Sequence, residues 1–104
     1  MIYARLTSIT GDAAQIDACV AFLREEVMPT ITGADGCMGI SMLVDRDAGH
    51  CCGTARFATH EALAASREMA QRMREERGAM SSTTFTDIAE CELVVAHLRV
   101  PELV

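Results

Sequence analysis

The sequence contains no lysine, no asparagine and no tryptophan, and its aromatic residues are one tyrosine and three phenylalanines. All nine basic residues are therefore arginine, and 15 acidic residues give a formal net charge of −6. An acidic chain repels a phosphate backbone, so we expect no nucleic-acid partner. No apolar run approaches the roughly 20 residues that a membrane span needs, so we expect no membrane partner either.

Half of the residues are hydrophobic, and no stretch is of low complexity. This composition predicts one folded domain over residues 1–104. The five cysteines are an odd number, and the N-terminus lacks a basic segment followed by an apolar run. We therefore expect a cytoplasmic protein with reduced thiols.

The hydrophobic periodicity predicts six elements in the order β-α-β-β-α-β. Asp12 and Thr59 are suited to cap the two helices, and Gln15 completes a variant capping box with Asp12. The first helix is expected to end between Pro29 and Gly33, and the second near Arg77. The strands are expected at residues 2–9, 37–45 and 50–58, with the last one within 85–98.

This order is typical of a ferredoxin-like α+β fold, in which two helices cover one face of a four-stranded antiparallel sheet. The strand at 37–45 is nevertheless apolar on both faces. Its alternation places one set of side chains on one face, namely Met38, Ile40, Met42 and Val44, and Cys37, Gly39, Ser41 and Leu43 on the other. An apolar open face requires a second layer, so we expect a homodimer whose sheets face each other.

The stretch HCCGTARFATH, residues 50–60, suggests a metal or redox site at first sight. On a strand, however, Cys51 and Cys52 point to opposite faces, and a hairpin pairing Asp45 with His50 separates them from Cys37. No C-x-x-C or H-x-x-x-H spacing occurs, so no metal site is predicted. The cysteines either pack as small hydrophobic residues or include a reactive thiol, for which Cys37 is the candidate.

Charged residues within strands allow two interpretations. Arg5, Arg56, Glu90 and Glu92 form an ion-pair network at the sheet edge or dimer seam, or one of the arginines binds an anionic ligand with Tyr3 on the same face as Arg5. His60, in the first turn of the second helix, is either an acid–base group or a surface residue.

The methionines allow a similar choice. Met38, Met42, Met69 and Met73 either line an adaptable apolar cleft or fill the core. The run at residues 72–77 (RMREER) is expected to be a solvated helix face.

Several segments resemble the dimeric α+β barrel superfamily, and most closely its antibiotic-biosynthesis-monooxygenase-like branch. The segments are GCMG at residues 36–39, LVDRDAG at 43–49, FATHEALAAS at 57–66 and ECELVV at 90–95. They look like the branch's entry to the second strand, its hairpin, its entry to the second helix and its last strand. They are turn, cap and packing signals, which specify a fold better than a function.

The resemblance implies either a cofactor-free oxygenase of aromatic compounds or a haem-degrading oxygenase. Both kinds are expected to use an asparagine and a tryptophan that this sequence lacks, and Phe57 stands at the usual tryptophan position. The second helix also has no histidine late in its length, which disfavours haem degradation by the family's route.

The preferred hypothesis is a monooxygenase-like protein without a cofactor, acting on a small aromatic or apolar substrate between helices and sheet. Arg56 and His60 are its candidate catalytic residues. Its candidate ligand-binding residues are Tyr3, Arg5, Met38, Met42, Phe57, Met69 and Met73. The alternatives are a non-enzymatic, stress-related barrel that binds a small ligand, and a purely structural homodimer.

Overall fold

The computed structural model describes the backbone of residues 1–80 and 84–104, and the side chains of residues 1–77 and 84–104. Its strands are β1 (Tyr3–Thr10), β2 (Cys37–Asp45), β3 (His50–Phe57) and β4 (Thr84–Glu92). Its helices are α1 (Ala13–Phe22), α2 (Met28–Ile31), α3 (His60–Ala65) and α4 (Arg67–Met80). A π-helical segment, Leu23–Val27, joins α1 to α2. No helix among these described residues is long and apolar enough to cross a membrane.

The four strands form one antiparallel sheet in the order β2-β3-β1-β4. The predicted ferredoxin-like α+β fold is therefore confirmed. Hairpin pairing of Asp45 with His50 and of Val44 with Cys51 is also as predicted. The side chains of Ile9, Cys51 and Phe57 lie on the face covered by the helices, which we call the inner face.

Both predicted helix caps are present. Asp12 accepts a hydrogen bond from the Gln15 backbone and its own N–H donates to the Gln15 side chain, each at 2.8 Å. Thr59 accepts a hydrogen bond from the Ala62 N–H at 3.1 Å. Short polar side chains at these two positions satisfy amide groups that the first helical turn leaves without an intrahelical partner.

The first helical region continues past Pro29 and ends at Ile31, within the range from Pro29 to Gly33 that the sequence predicts. Proline has no N–H and clashes with the preceding turn of a regular helix. The wider π-helical turn upstream relieves this conflict, with the Met28 N–H donating to the Leu23 carbonyl. Helical backbone therefore reaches Ile31, whose side chain is buried against Phe57 and Leu63.

The second predicted helix is divided in two at Ser66. The carbonyl of Leu63 accepts hydrogen bonds from the Ser66 N–H at 3.1 Å, the Ser66 hydroxyl at 2.7 Å and the Arg5 guanidinium at 3.1 Å. In an uninterrupted helix, this carbonyl would accept the hydrogen bond from the Arg67 N–H. Its engagement by Ser66 and Arg5 explains why α3 ends and α4 begins here.

Two predictions about the strands are wrong. A bulge between Cys37 and Gly39 pairs Cys37 with Phe57, whereas an uninterrupted register from the predicted Asp45–His50 pair would place Cys37 opposite Ala58. This irregularity turns Met38 outward, where it is 55% exposed, so it does not share a face with Ile40 and Met42. The last strand ends at Glu92, and residues 93–104 form no regular element although the Leu93 N–H still bonds to the Ile2 carbonyl at 2.8 Å.

Candidate functional site

A cavity lies between the inner face of the sheet and the helices. It has a volume of about 110 Å³ and is partly open to solvent. Strands β1, β2 and β3 form its floor through residues such as Ile9, Met42 and Gly53. The helical side includes Phe22, Leu23, Val27, Ile31, Ala70 and Met73. An apolar cleft of this kind is a usual place for a small ligand.

Gly53 leaves part of the cavity floor open. It pairs with Thr7 of β1 and Met42 of β2, so its missing side chain belongs to the inner face. A Cβ atom built at this position would have only the Met42 methyl carbon near it, at 4.0 Å. A larger residue at position 53 would therefore project into empty space.

Arg5 is the central polar residue of the cavity wall. It is 4% exposed and its guanidinium donates to the Ser66 hydroxyl at 3.0 Å and to the Leu63 carbonyl at 3.1 Å. The same group lies 5.9 Å from the centroid of the Phe57 ring. Burial lowers the pKa of Arg5, and the Glu90 carboxylate opposes that effect. Such a buried charge requires the partners that it has here.

The Glu90 carboxylate is shared by two arginines. Its carboxylate accepts bonds of 2.7 to 3.0 Å from Arg67, and it lies 3.4 Å from Arg5. The hydrogen bonds from Arg67 hold the pKa of Glu90 below its usual range, and the positive charge of Arg5 adds to this. The Arg5–Glu90 pair of the predicted network is therefore confirmed, whereas Arg56 forms no ion pair with another described residue.

Two further arginines border the cavity, and neither was identified from the sequence. Arg74 is half-buried, and Arg77 is 6% exposed with its guanidinium 5.9 Å from the Phe22 ring centroid. The expectation of a solvated face for residues 72–77 is thus wrong for these two. The signal that could have found them is the spacing Ala70, Met73, Arg74, Arg77, which places all four on one helical stripe.

The predicted ligand-binding residues fall into separate places. Arg5, Met42 and Met73 border the cavity. Tyr3, Phe57 and Met69 belong to the neighbouring core cluster around Phe57, outside the cavity lining. Phe57 is fully buried there beneath Arg5. Met38 is exposed on the other side of β2.

The two predicted catalytic residues lie apart from the cavity. Arg56 pairs with Ala4 on the outer face of the sheet and donates to the Ser41 hydroxyl at 3.2 Å. His60 is exposed at the start of α3, with its ring in an edge contact with Tyr3 at 5.0 Å between centroids. The fold therefore does not bring Arg56 and His60 together with Arg5.

The cysteines are free thiols in different surroundings. Cys51 packs with Cys19 in the core, and burial raises its pKa to about 11. Cys52 points to the outer face, as its pairing with Ser8 and Leu43 indicates. Across the residues whose positions are described, no group of three or more His, Cys, Asp or Glu side chains is arranged to hold a metal ion.

No protein-family model matches the chain. The uncharacterized protein Rv2557 of Mycobacterium tuberculosis is 39% identical over 97 residues, which are 93% of this chain and 43% of that protein. The chain thus spans less than half the length of the curated relatives that it matches.

Solved structures are similar in fold at low sequence identity. One is a Deinococcus radiodurans protein classed with the antibiotic biosynthesis monooxygenases, with a TM-score of 0.71, 14% identity and coverage of 97% of this chain and 100% of that one. Another is a variant of SnoaB, a cofactor-independent oxygenase from Streptomyces nogalater, with a TM-score of 0.63, 16% identity and coverage of 97% and 98%.

Because its carboxylate is shared by Arg5 and Arg67, Glu90 is expected to make a pH-dependent contribution to the free energy of unfolding. Glu90→Gln should lower the free energy of unfolding near neutral pH by about 1–3 kcal/mol, because buried Arg5 loses its counter-charge. Since the folded-state pKa of Glu90 is lowered, this contribution is present above the unfolded pKa and is lost as the pH falls through the folded value. Urea denaturation at a series of pH values should therefore show the two free energies of unfolding approaching each other as the pH falls below the unfolded pKa of about 4.3.

Glu92→Gln is the matched control, because Glu92 is an exposed residue of the same strand. It should change stability by less than about 0.5 kcal/mol. Equal losses in the two variants, or a Glu90→Gln difference that persists in acid, would contradict a specific role for the Arg5–Glu90 pair.

Proposed function

Because the chain has the fold of the antibiotic-biosynthesis-monooxygenase-like branch of the dimeric α+β barrel superfamily, we propose that it binds a small aromatic or apolar molecule in its cavity and oxygenates it without a cofactor. The observation that carries this proposal is the apolar cavity between helices and sheet, bordered by Arg5, Arg74 and Arg77. Its lining supplies contacts for an aromatic ring, and its arginines supply positive charge.

The proposed oxygenation requires the protein to bind and orient the substrate but not to supply electrons. When a phenol such as 1-naphthol reacts with O₂, one oxygen atom becomes the second carbonyl of 1,4-naphthoquinone and the other leaves as water. The substrate provides all the electrons, so no external reductant is required. An apolar cleft that holds the ring, with guanidinium groups that favour the phenolate form, is suited to this reaction.

A second function is favoured by a specific observation. Arg56 and His60, the candidate catalytic residues, do not line the cavity. A protein that binds the same kind of molecule without converting it needs only the cavity. The alternative is therefore a non-enzymatic, small-ligand-binding barrel.

Filling the open floor of the cavity tests both functions together. Gly53→Val should weaken binding of 1-naphthol by about tenfold or more, because the new side chain occupies space that the ligand needs. Cys52→Val is the matched control, since the neighbouring side chain points to the outer face. Isothermal titration calorimetry measures both affinities. Absence of 1-naphthol binding to the wild-type chain, or equal affinities in both variants, would overturn the cavity as the binding site.

Oxygen uptake separates the enzyme from the binding protein. The wild-type chain should consume one O₂ for each naphthoquinone formed from 1-naphthol, and Gly53→Val should lose most of this turnover. The double variant Arg56→Gln/His60→Gln should lose turnover while retaining binding if these residues are catalytic. Retained turnover in the double variant would remove them from the mechanism. Binding of 1-naphthol with no oxygen uptake would establish the non-enzymatic alternative.

We also propose that the chain forms a homodimer through the outer face of its sheet. Leu43 on that face is 73% exposed, and the apolar residues Val94, Val95 and Leu98 that follow β4 are exposed as well. A second copy of the chain would cover this apolar surface.

Sedimentation velocity at micromolar concentration should therefore show a dimer. Leu43→Asp should shift it toward monomer, because a charge is costly to bury at an apolar interface. Ala48→Asp adds the same charge in the β2–β3 turn and should leave the dimer intact. A wild-type monomer at that concentration would contradict the proposal.

A further inference from the structure

The arginines around the cavity differ in what they are bonded to. Arg5 is committed to Ser66, Leu63 and Glu90, and Glu90 is bound more closely by Arg67. Two guanidinium groups thus share one carboxylate, so Glu90 offsets the charge of Arg5 only in part. No aspartate or glutamate is among the described residues that line it.

Arg74 contributes a further positive charge to the same space. It is half-buried and lines the cavity, and within the described part of the chain it has neither a hydrogen-bond nor an ion-pair partner. Burial is the main reason that the pKa of Arg5 is lowered, and repulsion by Arg74 adds to that effect. A partly desolvated cation without a carboxylate partner is costly, and a bound anion would relieve that cost.

This arrangement is unusual for a chain with a formal net charge of −6. The neighbouring Arg72 shows the ordinary case, since it is exposed and paired with Glu68 at 3.5 Å. Among the residues whose side chains are described, an acidic partner is thus present for Arg72 and absent for Arg74. Positive charge is therefore concentrated where the lining is otherwise apolar.

We infer that the cavity selects small aromatic or apolar molecules that carry a carboxylate, with Arg74 as the residue that binds the carboxylate. This inference rests on the proposed binding function and specifies its ligand class. The ring occupies the space above Met42 and Gly53, and the carboxylate reaches toward α4. Guanidinium groups are well suited to this role because they offer several N–H donors to two oxygen atoms.

The probes 2-naphthoate and 2-naphthamide test this inference, because they have nearly the same shape and differ in charge. The wild-type chain should bind 2-naphthoate about tenfold more tightly than 2-naphthamide, as measured by isothermal titration calorimetry at low salt. Added salt should weaken binding of the naphthoate and leave that of the naphthamide unchanged. Arg74→Gln should abolish the preference, whereas Arg72→Gln should retain it with the same change in net charge.

The outcomes separate this inference from the binding proposal. If 2-naphthamide binds as tightly as 2-naphthoate to the wild-type chain, the inferred selectivity for a carboxylate is overturned. The proposal that the cavity binds small aromatic molecules is then retained. If neither probe binds, both proposals are overturned. If Arg74→Gln loses both probes through misfolding, Arg74→Lys decides: a retained preference for the naphthoate supports the inference, and a lost preference overturns it.

Discussion

The burial of Arg5 is the interaction on which the rest of the structure depends. Its guanidinium joins β1 to the Leu63 carbonyl and the Ser66 hydroxyl, and it lies beside Glu90 of β4. A charge in this position must be fully partnered, and the available partners come from both layers of the fold. Because Arg5 and Ser66 together engage the Leu63 carbonyl, the second helical region is interrupted there. The helix that begins after this interruption, α4, provides one wall of the cavity.

The cavity owes its other features to similarly local causes. Pro29 is accommodated by the π-helical turn upstream, which contributes Leu23 and Val27 to the lining. Gly53 leaves the floor open, and Ala70 contributes only a methyl group from α4. The opposite end of the inner face, around Phe57 and Leu63, is filled. A second packed cluster surrounds Ile16 and Cys51, and the cavity is lined in part by residues of both clusters.

The topology could be predicted from the sequence because it depends on signals that are local in the chain. The caps at Asp12 and Thr59, the hairpin register at Asp45 and His50, and the strand periodicity each have a short-range cause. The division of the second helix could not be predicted, since it depends on Arg5, which is 58 residues away from Leu63. The outward turn of Met38 arises from a bulge, which a strict two-residue alternation cannot anticipate.

Only some residues of the candidate site were predicted from the sequence, because the positions of the others depend on tertiary packing. Arg5 was identified as a charge within a strand, and Met42 and Met73 as methionines suited to an apolar cleft, and all three line the cavity. Arg74 and Arg77 were missed because a run rich in Arg and Glu is usually solvated, and only tertiary packing shows which arginines turn inward. Arg56 was predicted to share the site with Arg5, yet the two residues are neighbours in adjacent strands with opposite orientations.

The central claim is that the space between α4 and the sheet binds small aromatic molecules. Methyl NMR of the chain labelled at its methionine methyl groups tests it most directly, because Met42 and Met73 line the cavity and Met38 is exposed elsewhere. Titration with 1-naphthol should shift the Met42 and Met73 methyl resonances in a saturable manner and leave those of Met38 and Met1 unchanged. Shifts confined to Met38 and Met1, or no saturable shift at all, would contradict the account.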